Sequence, residues 1–299
     1  MENLINSSNK DIAILVSSCD KFSDVWEVFF PLFWKLWPDC PFNIYLVTNF
    51  KSFEHEKVTV IKVGEEKSWA DDVKMALSKV EAKYFLFFFE DVLISDKVDT
   101  ERVLSLCKTM AELNASKIVL RRTPGPYKEV DGHPELLEVV PYAPYRAGLA
   151  VAIWNKEILN RLLKLGETPW DMEIKGSVRS NDIPRFYVTK EMSLPIHNGL
   201  EKGKWMRYNL PLLERENIKL PEGHPLMSIF EHIKLYYIQN YFGYLKTFMC
   251  ILFYYSYNLL ISLIQTLRLI SPNGKIKKIV LSIDKNYCSS VKKHFLKEA

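Results

Sequence analysis

The sequence predicts an α/β protein: an open, mostly parallel sheet flanked by helices, followed by a helical C-terminal extension. Three observations predict it. Short apolar runs alternate with stretches of helical period from Ile12 to Leu120. One run, Tyr84 to Phe89, is continuously apolar and rich in aromatics, as in a strand buried on both faces of a sheet. The character of the chain then changes twice, after Arg122 and again near Ile229.

Asp11-Ile-Ala-Ile-Leu-Val-Ser-Ser-Cys-Asp20 reads as a first strand passing into a loop small enough to approach a ligand. Ser23 is placed to cap a helix over 24–37, whose apolar face is Phe29, Phe30, Phe33, Trp34 and Trp37, with Pro31 as a point of kinking. Asn43 to Asn49 is a second strand, and Val58 to Val63, nearly alternating, a third nearer an edge. Ser68-Trp-Ala-Asp71 has capping-box spacing and starts a helix to about Val80. After the central strand, Thr100 to Leu113 has helical period and Lys117 to Leu120 is another strand. The Pro- and Gly-rich stretches at 123–127 and 141–145 are loops. Gly148 to Trp154 reads as a strand, and Asn155 caps a helix to about Leu165. Thr168 caps a short helix with Pro169 in its first position, which sets Trp170 and Glu173 three residues apart on one face.

Composition narrows the class. Of 299 residues, 48% are hydrophobic and 13% aromatic, which excludes disorder. Net charge is +4, unevenly spread: residues 268–299 carry eight Lys or Arg against two Asp or Glu. The five cysteines (Cys19, Cys40, Cys107, Cys250, Cys288) form no CxxC, which fits a reducing compartment and argues against zinc. Met1 to Lys10 is polar, so no signal peptide is read there. From Thr247 to Leu267 there is no charged residue, a stretch of 21. That is long enough to cross a bilayer, but Tyr254, Tyr255, Ser256, Tyr257 and Asn258 occupy its middle. A hairpin lying in the interface is therefore expected from about Ile229 onward, holding the protein peripherally on the cytoplasmic face of the inner membrane with its basic tail on anionic lipid. The division expected is 1–210 for the sheet domain and 211–299 for the extension.

The chemistry centres on Glu90 and Asp91 at the end of the buried strand. Carboxylates there cost several kcal/mol unless a cation meets them, and the carboxyl ends of strands in open α/β sheets are where ligands bind. There is no GxxxxGK[ST], no GxGxxG after a strand and no GxSxG. A Mg²⁺ or Mn²⁺ ion bridging a nucleotide diphosphate fits the position. Strand alternation predicts that only one of the pair faces the ligand, and Asp91 is the choice.

Over about 12–205 the chain resembles the nucleotide-sugar glycosyltransferases of GT-A fold found in bacterial surface polysaccharide (capsule and lipopolysaccharide) biosynthesis. The resemblance rests on the ordered series Ser17, Ser18 and Asp20; Ser68-Trp69; Glu90-Asp91; Ala152-Ile-Trp-Asn-Lys156; Gly166-Glu-Thr-Pro-Trp-Asp-Met-Glu173; and Asn198-Gly-Leu-Glu-Lys-Gly-Lys-Trp205. It implies donor binding by Ser17, Ser18, Asp20, Trp69, Glu90, Asp91 and Lys204, with Arg179 and Lys202 as further cations for the diphosphate. It implies a divalent cation on Asp91, with His197 as a second ligand. It implies an inverting transfer with Glu173 as base and Asp171 in reserve, and Trp170 against the acceptor sugar. Asp-x-Asp, usual in that family, is replaced here by adjacent Glu90-Asp91, which leaves the metal open. The partners expected are a nucleotide-sugar donor and a lipid-linked or glycan acceptor, with no nucleic acid. The competing readings are a membrane-associated scaffold that kept the fold without its chemistry, and a nucleotidyltransferase, ranked last because 16–20 lacks glycine.

Overall fold

The structure, a computed structural model, describes residues 11–123 and 125–237. Its strands are β1 (Ile12–Ser17), β2 (Asn43–Thr48), β3 (Val58–Lys62), β4 (Tyr84–Phe89), β5 (Val92–Ile94), β6 (Lys117–Val119), β7 (Tyr127–Glu129), β8 (Leu136–Val139), β9 (Ala152–Asn155), β10 (Phe186–Thr189) and β11 (Ile196–Asn198). Nine of them form one sheet in the order β3-β2-β1-β4-β9-β6-β10-β8-β7. In it β8 and β9 run against the other strands. β5 and β11 pair separately, and a small hairpin, β12 (Leu200–Glu201) and β13 (Lys204–Trp205), follows them. The result is a mixed α/β fold with a large, mostly parallel central sheet flanked by helices.

Helices cover both faces because the central strands are apolar on both. On one face Ile14, Val16, Leu86 and Phe88 meet α1 (Trp26–Leu36) and, across the sheet, α3 (Thr100–Glu112). Phe29, Phe33 and Phe88 lie within ring-contact range of one another there. Each fully buried ring contributes roughly 1.5–3 kcal/mol, so these rings dominate the contact of α1 with the sheet. On the other face Leu15, Phe85 and Phe87 meet Val73 and Leu77 of α2 (Trp69–Ser78) and Leu159 of α4 (Lys156–Leu162). Tyr84–Phe89 is thus the central strand expected, with Phe85 to Phe88 fully buried.

Several local expectations hold. Ser68 accepts from Asp71 N–H, Asn155 from Glu157 and Ile158, and Thr168 and Asp171 form a reciprocal capping box. Others change. Ser23 does not cap α1; the helix begins at Trp26 without a side-chain cap, and Ser23 Oγ takes the Lys51 ammonium at 2.5 Å. The strand expected from Gly148 starts only at Ala152, because the preceding backbone is drawn away by side-chain partners described below.

The boundary expected at 210 falls inside the first compact unit, Met1–Asn240. Leu212 and Leu213 of α5 (Leu210–Arg215) enter the core, and Met227 N–H bonds to the Trp205 carbonyl at 3.0 Å. The short final described helix spans Ile229–Tyr237. The charge-free stretch 247–267 and the basic tail lie outside the described residues. Among the described residues no helix is long and apolar enough to cross a membrane.

Candidate functional site

The order of the strands locates a crevice. From β1 the chain moves outward through β2 and β3, then returns to place β4 on the other side of β1. The reversal falls between β1 and β4, and in such sheets ligands lie outside the carboxyl ends at the reversal. Ser17-Ser18-Cys19-Asp20 leaves β1 there and Glu90-Asp91 leaves β4.

Glu90 and Asp91 occupy a turn between β4 and β5, beyond the last paired residue of the long strand. Strand alternation therefore does not sort them, and the argument that only one of the pair faces the ligand does not apply. Glu90 is 5% exposed and its Oε2 has no hydrogen-bond partner. Burial, then the neighbouring Asp91 charge, pushes its carboxyl well above the ordinary range; Ser18 pulls the other way. Asp91 is partly buried, and its carboxylate makes no ion pair among the described residues; only its own backbone N–H pulls its pKa down. Burial, reinforced by Glu201, lifts it to about 6. An unpartnered buried oxygen beside a second unpaired carboxyl is costly, and a ligand or cation that meets them removes that cost.

The residues around them are held by the scaffold. Ser17 Oγ accepts from Trp69 Nε1 at 2.9 Å, and Ser18 Oγ from Trp26 Nε1 at 2.8 Å. Trp69 lies over Phe89, ring centres 6.1 Å apart, so α2 is fastened to the end of β4. Asp20 is fully engaged elsewhere: its carboxylate accepts from the N–H groups of Asn49, Phe50 and Lys51 at 3.0–3.2 Å. Asp20→Ala strands those donors and is expected to destabilise the fold by roughly 1–3 kcal/mol, read as a lower urea midpoint. A variant as stable as the parent that no longer binds nucleotide would return Asp20 to the ligand.

The β5/β11 ladder brings in a segment from far along the chain. His197 pairs with Leu93 and Asn198 with Val92, and Gly199 N–H reaches the Asp91 carbonyl at 2.5 Å. Gly199 has room for nothing more: a Cβ there would sit 3.0 Å from that same carbonyl oxygen. His197 is exposed, edge-on to Tyr208 at 5.3 Å. Among the described residues no set of three or more His, Cys, Asp or Glu is arranged to hold a metal.

Glu173 reaches the same edge of the sheet from the other half. It lies in the π-helical stretch Met172–Gly176, which joins the turns Pro169–Asp171 and Ser177–Arg179. Its Oε1 accepts from Leu149 N–H at 2.7 Å. Ala152, three residues on from Leu149, pairs with Phe87 near the end of β4. Lys117, 1% exposed, donates to the Gly148 carbonyl. Burial holds that ammonium down to about 7, against the attraction of Glu173. The second oxygen of Glu173 makes no hydrogen bond among the described residues.

The remaining expected residues separate. Asp171 is bound to Thr168 and, at 2.7 Å, to Lys175, whose hydrogen bond is the main cause of its lowered pKa. It is committed to the helix start and is a poor proton acceptor. Trp170 is 67% exposed, so it is not a core residue and is free to stack. Lys204 is ion-paired with Glu231 at 2.5 Å, and Arg179 grips Glu167 with both terminal nitrogens at 2.9 and 2.6 Å. Neither is a free cation for a diphosphate.

Two groups escaped the sequence reading. Asp24 Oδ2 meets His224 Nδ1 at 2.7 Å, and Phe22 stacks on that imidazole at 5.2 Å. Asp24 is close enough to Glu90 to raise its pKa further. Asn209, 1% exposed, donates to the Asn198 carbonyl at 2.9 Å beside the Tyr208 hydroxyl, which does the same. His224 comes from 200 residues away and beyond the expected domain end, where the only sequence signal was the turn-rich run Pro221-Glu-Gly-His-Pro225; Asn209 lies 11 residues from Asn198, with no signal in the sequence.

Fold and candidate site together define an α/β protein with an acidic crevice at the reversal point of its sheet. No family model matches the chain, and no curated protein matches it. Among solved structures it is similar to S. aureus TarS 1-349, at 12% identity and a TM-score of 0.40, over 60% of each chain. The same fragment in complex with UDP-GlcNAc gives 12% and 0.38, over 60% of this chain and 58% of that one. CMP:2-keto-3-deoxy-manno-octonic acid synthetase complexed with CTP gives 13% and 0.35, over 60% of this chain and 88% of that one. The match thus spans about 60% of the length of the TarS fragment. Likenesses this distant say nothing about what this chain binds.

Proposed function

We propose that the protein is a glycosyltransferase that moves a sugar from a nucleotide-sugar donor to a lipid-linked or glycan acceptor of the cell surface, with inversion. The observation that carries this reading is the buried, unpartnered Oε2 of Glu90 beside the unpaired Asp91 carboxyl at the reversal point of the sheet. The donor's diphosphate lies there, over the Ser17-Ser18 turn. The donor set is all carboxylate oxygen, which suits Mg²⁺ or Mn²⁺. Asp91 and Glu90 would hold such an ion, whose charge would stabilise the leaving diphosphate; the rest of its shell would come from phosphate and water.

Glu173 is the base. The Leu149 N–H fixes one oxygen, and the other accepts the proton of the acceptor hydroxyl. The hydroxyl oxygen bonds to the anomeric carbon, the bond from that carbon to phosphate breaks, and the nucleoside diphosphate leaves with the electron pair. Trp170 offers a face for the acceptor sugar. We place the protein on the cytoplasmic face of the membrane, peripherally, through the residues beyond Ile229, where each lysine near anionic lipid is worth about 1 kcal/mol.

Isothermal titration of the full chain with UDP-, GDP-, TDP- and CMP-linked sugars, with and without Mn²⁺, tests the reading. One of them is expected to bind. Binding of none under either condition would leave a scaffold that kept the fold without the chemistry.

A further inference from the structure

Beyond the crevice, the same edge of the sheet carries a second, differently charged opening. β6 and β10 are parallel neighbours, so Arg122 and Lys190, just past their ends, emerge on the side of Glu90 and Asp91. With Tyr127, Lys128 and Glu129 of β7 and Leu137 of β8 they line an open cleft of about 320 Å³. Three cations thus face one carboxylate. That carboxylate, Glu129, takes up Lys190 at 2.7 Å. Arg122 and Lys128 have no ion pair among the described residues. The Arg122 guanidinium sits 5.5 Å from the centre of the Tyr127 ring, and Thr123 and Arg122 both act on the Tyr127 hydroxyl against the burial that raises its pKa. One residue before Arg122, Arg121 Nε is buried and without a hydrogen-bond partner.

From this arrangement we infer that the cleft binds a phosphate or diphosphate group, and that the acceptor is therefore a phosphate-bearing molecule. Two cations with no carboxylate partner supply charge-assisted donors that a phosphate dianion can use. A neutral sugar would leave both charges unmatched. The cleft also lies several strands away from the acidic crevice along one edge, so donor diphosphate and acceptor phosphate would not compete for the same groups. The identification of the ligand as the acceptor rests on the transferase reading; the phosphate site does not.

The test uses the full chain and an Arg122→Gln, Lys128→Gln double variant, with each single variant carried in parallel so that a misfolded double does not end the experiment. Circular dichroism and thermal melting establish that the variants fold. Inorganic pyrophosphate is titrated by calorimetry in one arm, and phosphatidylglycerol vesicles are sedimented with the protein in the other. Loss of both charges is expected to weaken pyrophosphate binding about tenfold or more. Weakening in solution alone assigns the cleft to a soluble phosphate, weakening on vesicles alone assigns it to a lipid headgroup, and weakening in both supports phosphate recognition whatever carries it. Equal binding by parent and variants in both arms overturns the proposal, as does no binding by the parent in either. Sugar-nucleotide titration of the same proteins is expected to be unchanged. If the cleft behaves as expected while no sugar nucleotide binds, the transferase reading fails and the phosphate site stands.

Discussion

Asp91→Asn should lower transfer by roughly 10²–10³, the usual cost of removing one preorganised electrostatic group, without weakening the fold. The pH dependence carries the sign. Burial, with Glu201 pushing the same way, lifts Asp91 to about 6, so its carboxylate forms only above that pH. In the parent, kcat/KM for the donor should fall as pH drops through about 6, and in the variant that step should vanish. Stability runs in the opposite direction. The ordinary value is 3.8, so between there and about 6 the folded protein holds a proton that the unfolded chain has released. The stability from this group is present at low pH and lost as pH rises through about 6. At pH 7.5 the variant should therefore melt no lower than the parent. An activity within twofold of the parent, or a loss that comes with a lowered melting temperature, removes Asp91 from the chemistry.

Glu173→Gln keeps an oxygen for the Leu149 N–H but gives up proton acceptance. Turnover should fall by roughly 10²–10⁴, the usual contribution of a positioned base, with donor affinity little changed. Asp171→Asn serves as the comparison. Its carboxylate already serves Thr168 and Lys175, so it should cost some stability at the helix start and leave turnover near the parent. The reverse pattern would exchange the two roles. A third pattern, loss of donor binding in Glu173→Gln, would mean that the residue acts by holding the 147–149 backbone and not as a base.

What the sequence disclosed was whatever depends on neighbours along the chain. Tyr84 to Phe89 could only be a strand with two buried faces, and Ser68, Asn155 and Thr168 cap because each is followed by a short helix with its own N–H groups to satisfy. The acidic pair was legible as a site for the same reason: nothing local neutralises it. Two of the misreadings come from partners distant along the chain. Asp20 looked like a ligand group, but its donors are 29–31 residues away. Arg179 looked available for phosphate until the fold put Glu167 against it. The alternation argument that set Glu90 aside assumed a strand continuing through it, and a turn intervenes. His224 was missed because its partner Asp24 lies 200 residues away.

The Asp24–His224 contact, the Trp205–Met227 pairing and the Asp91–Gly199 bond have a shared implication for biosynthesis. Chains are made from the N-terminus, and distant contacts close only when both partners have emerged. The four strands β1 to β4 and their helices can assemble early, from fewer than a hundred residues. The acidic crevice cannot: its outer wall arrives with 196–201 and its imidazole with 224. A nascent chain therefore carries an ordered sheet with an open acidic mouth for well over a third of its synthesis, and the crevice is complete only once residue 224 has emerged. Crevice and sheet are separate events in the life of the molecule, even though they share a backbone.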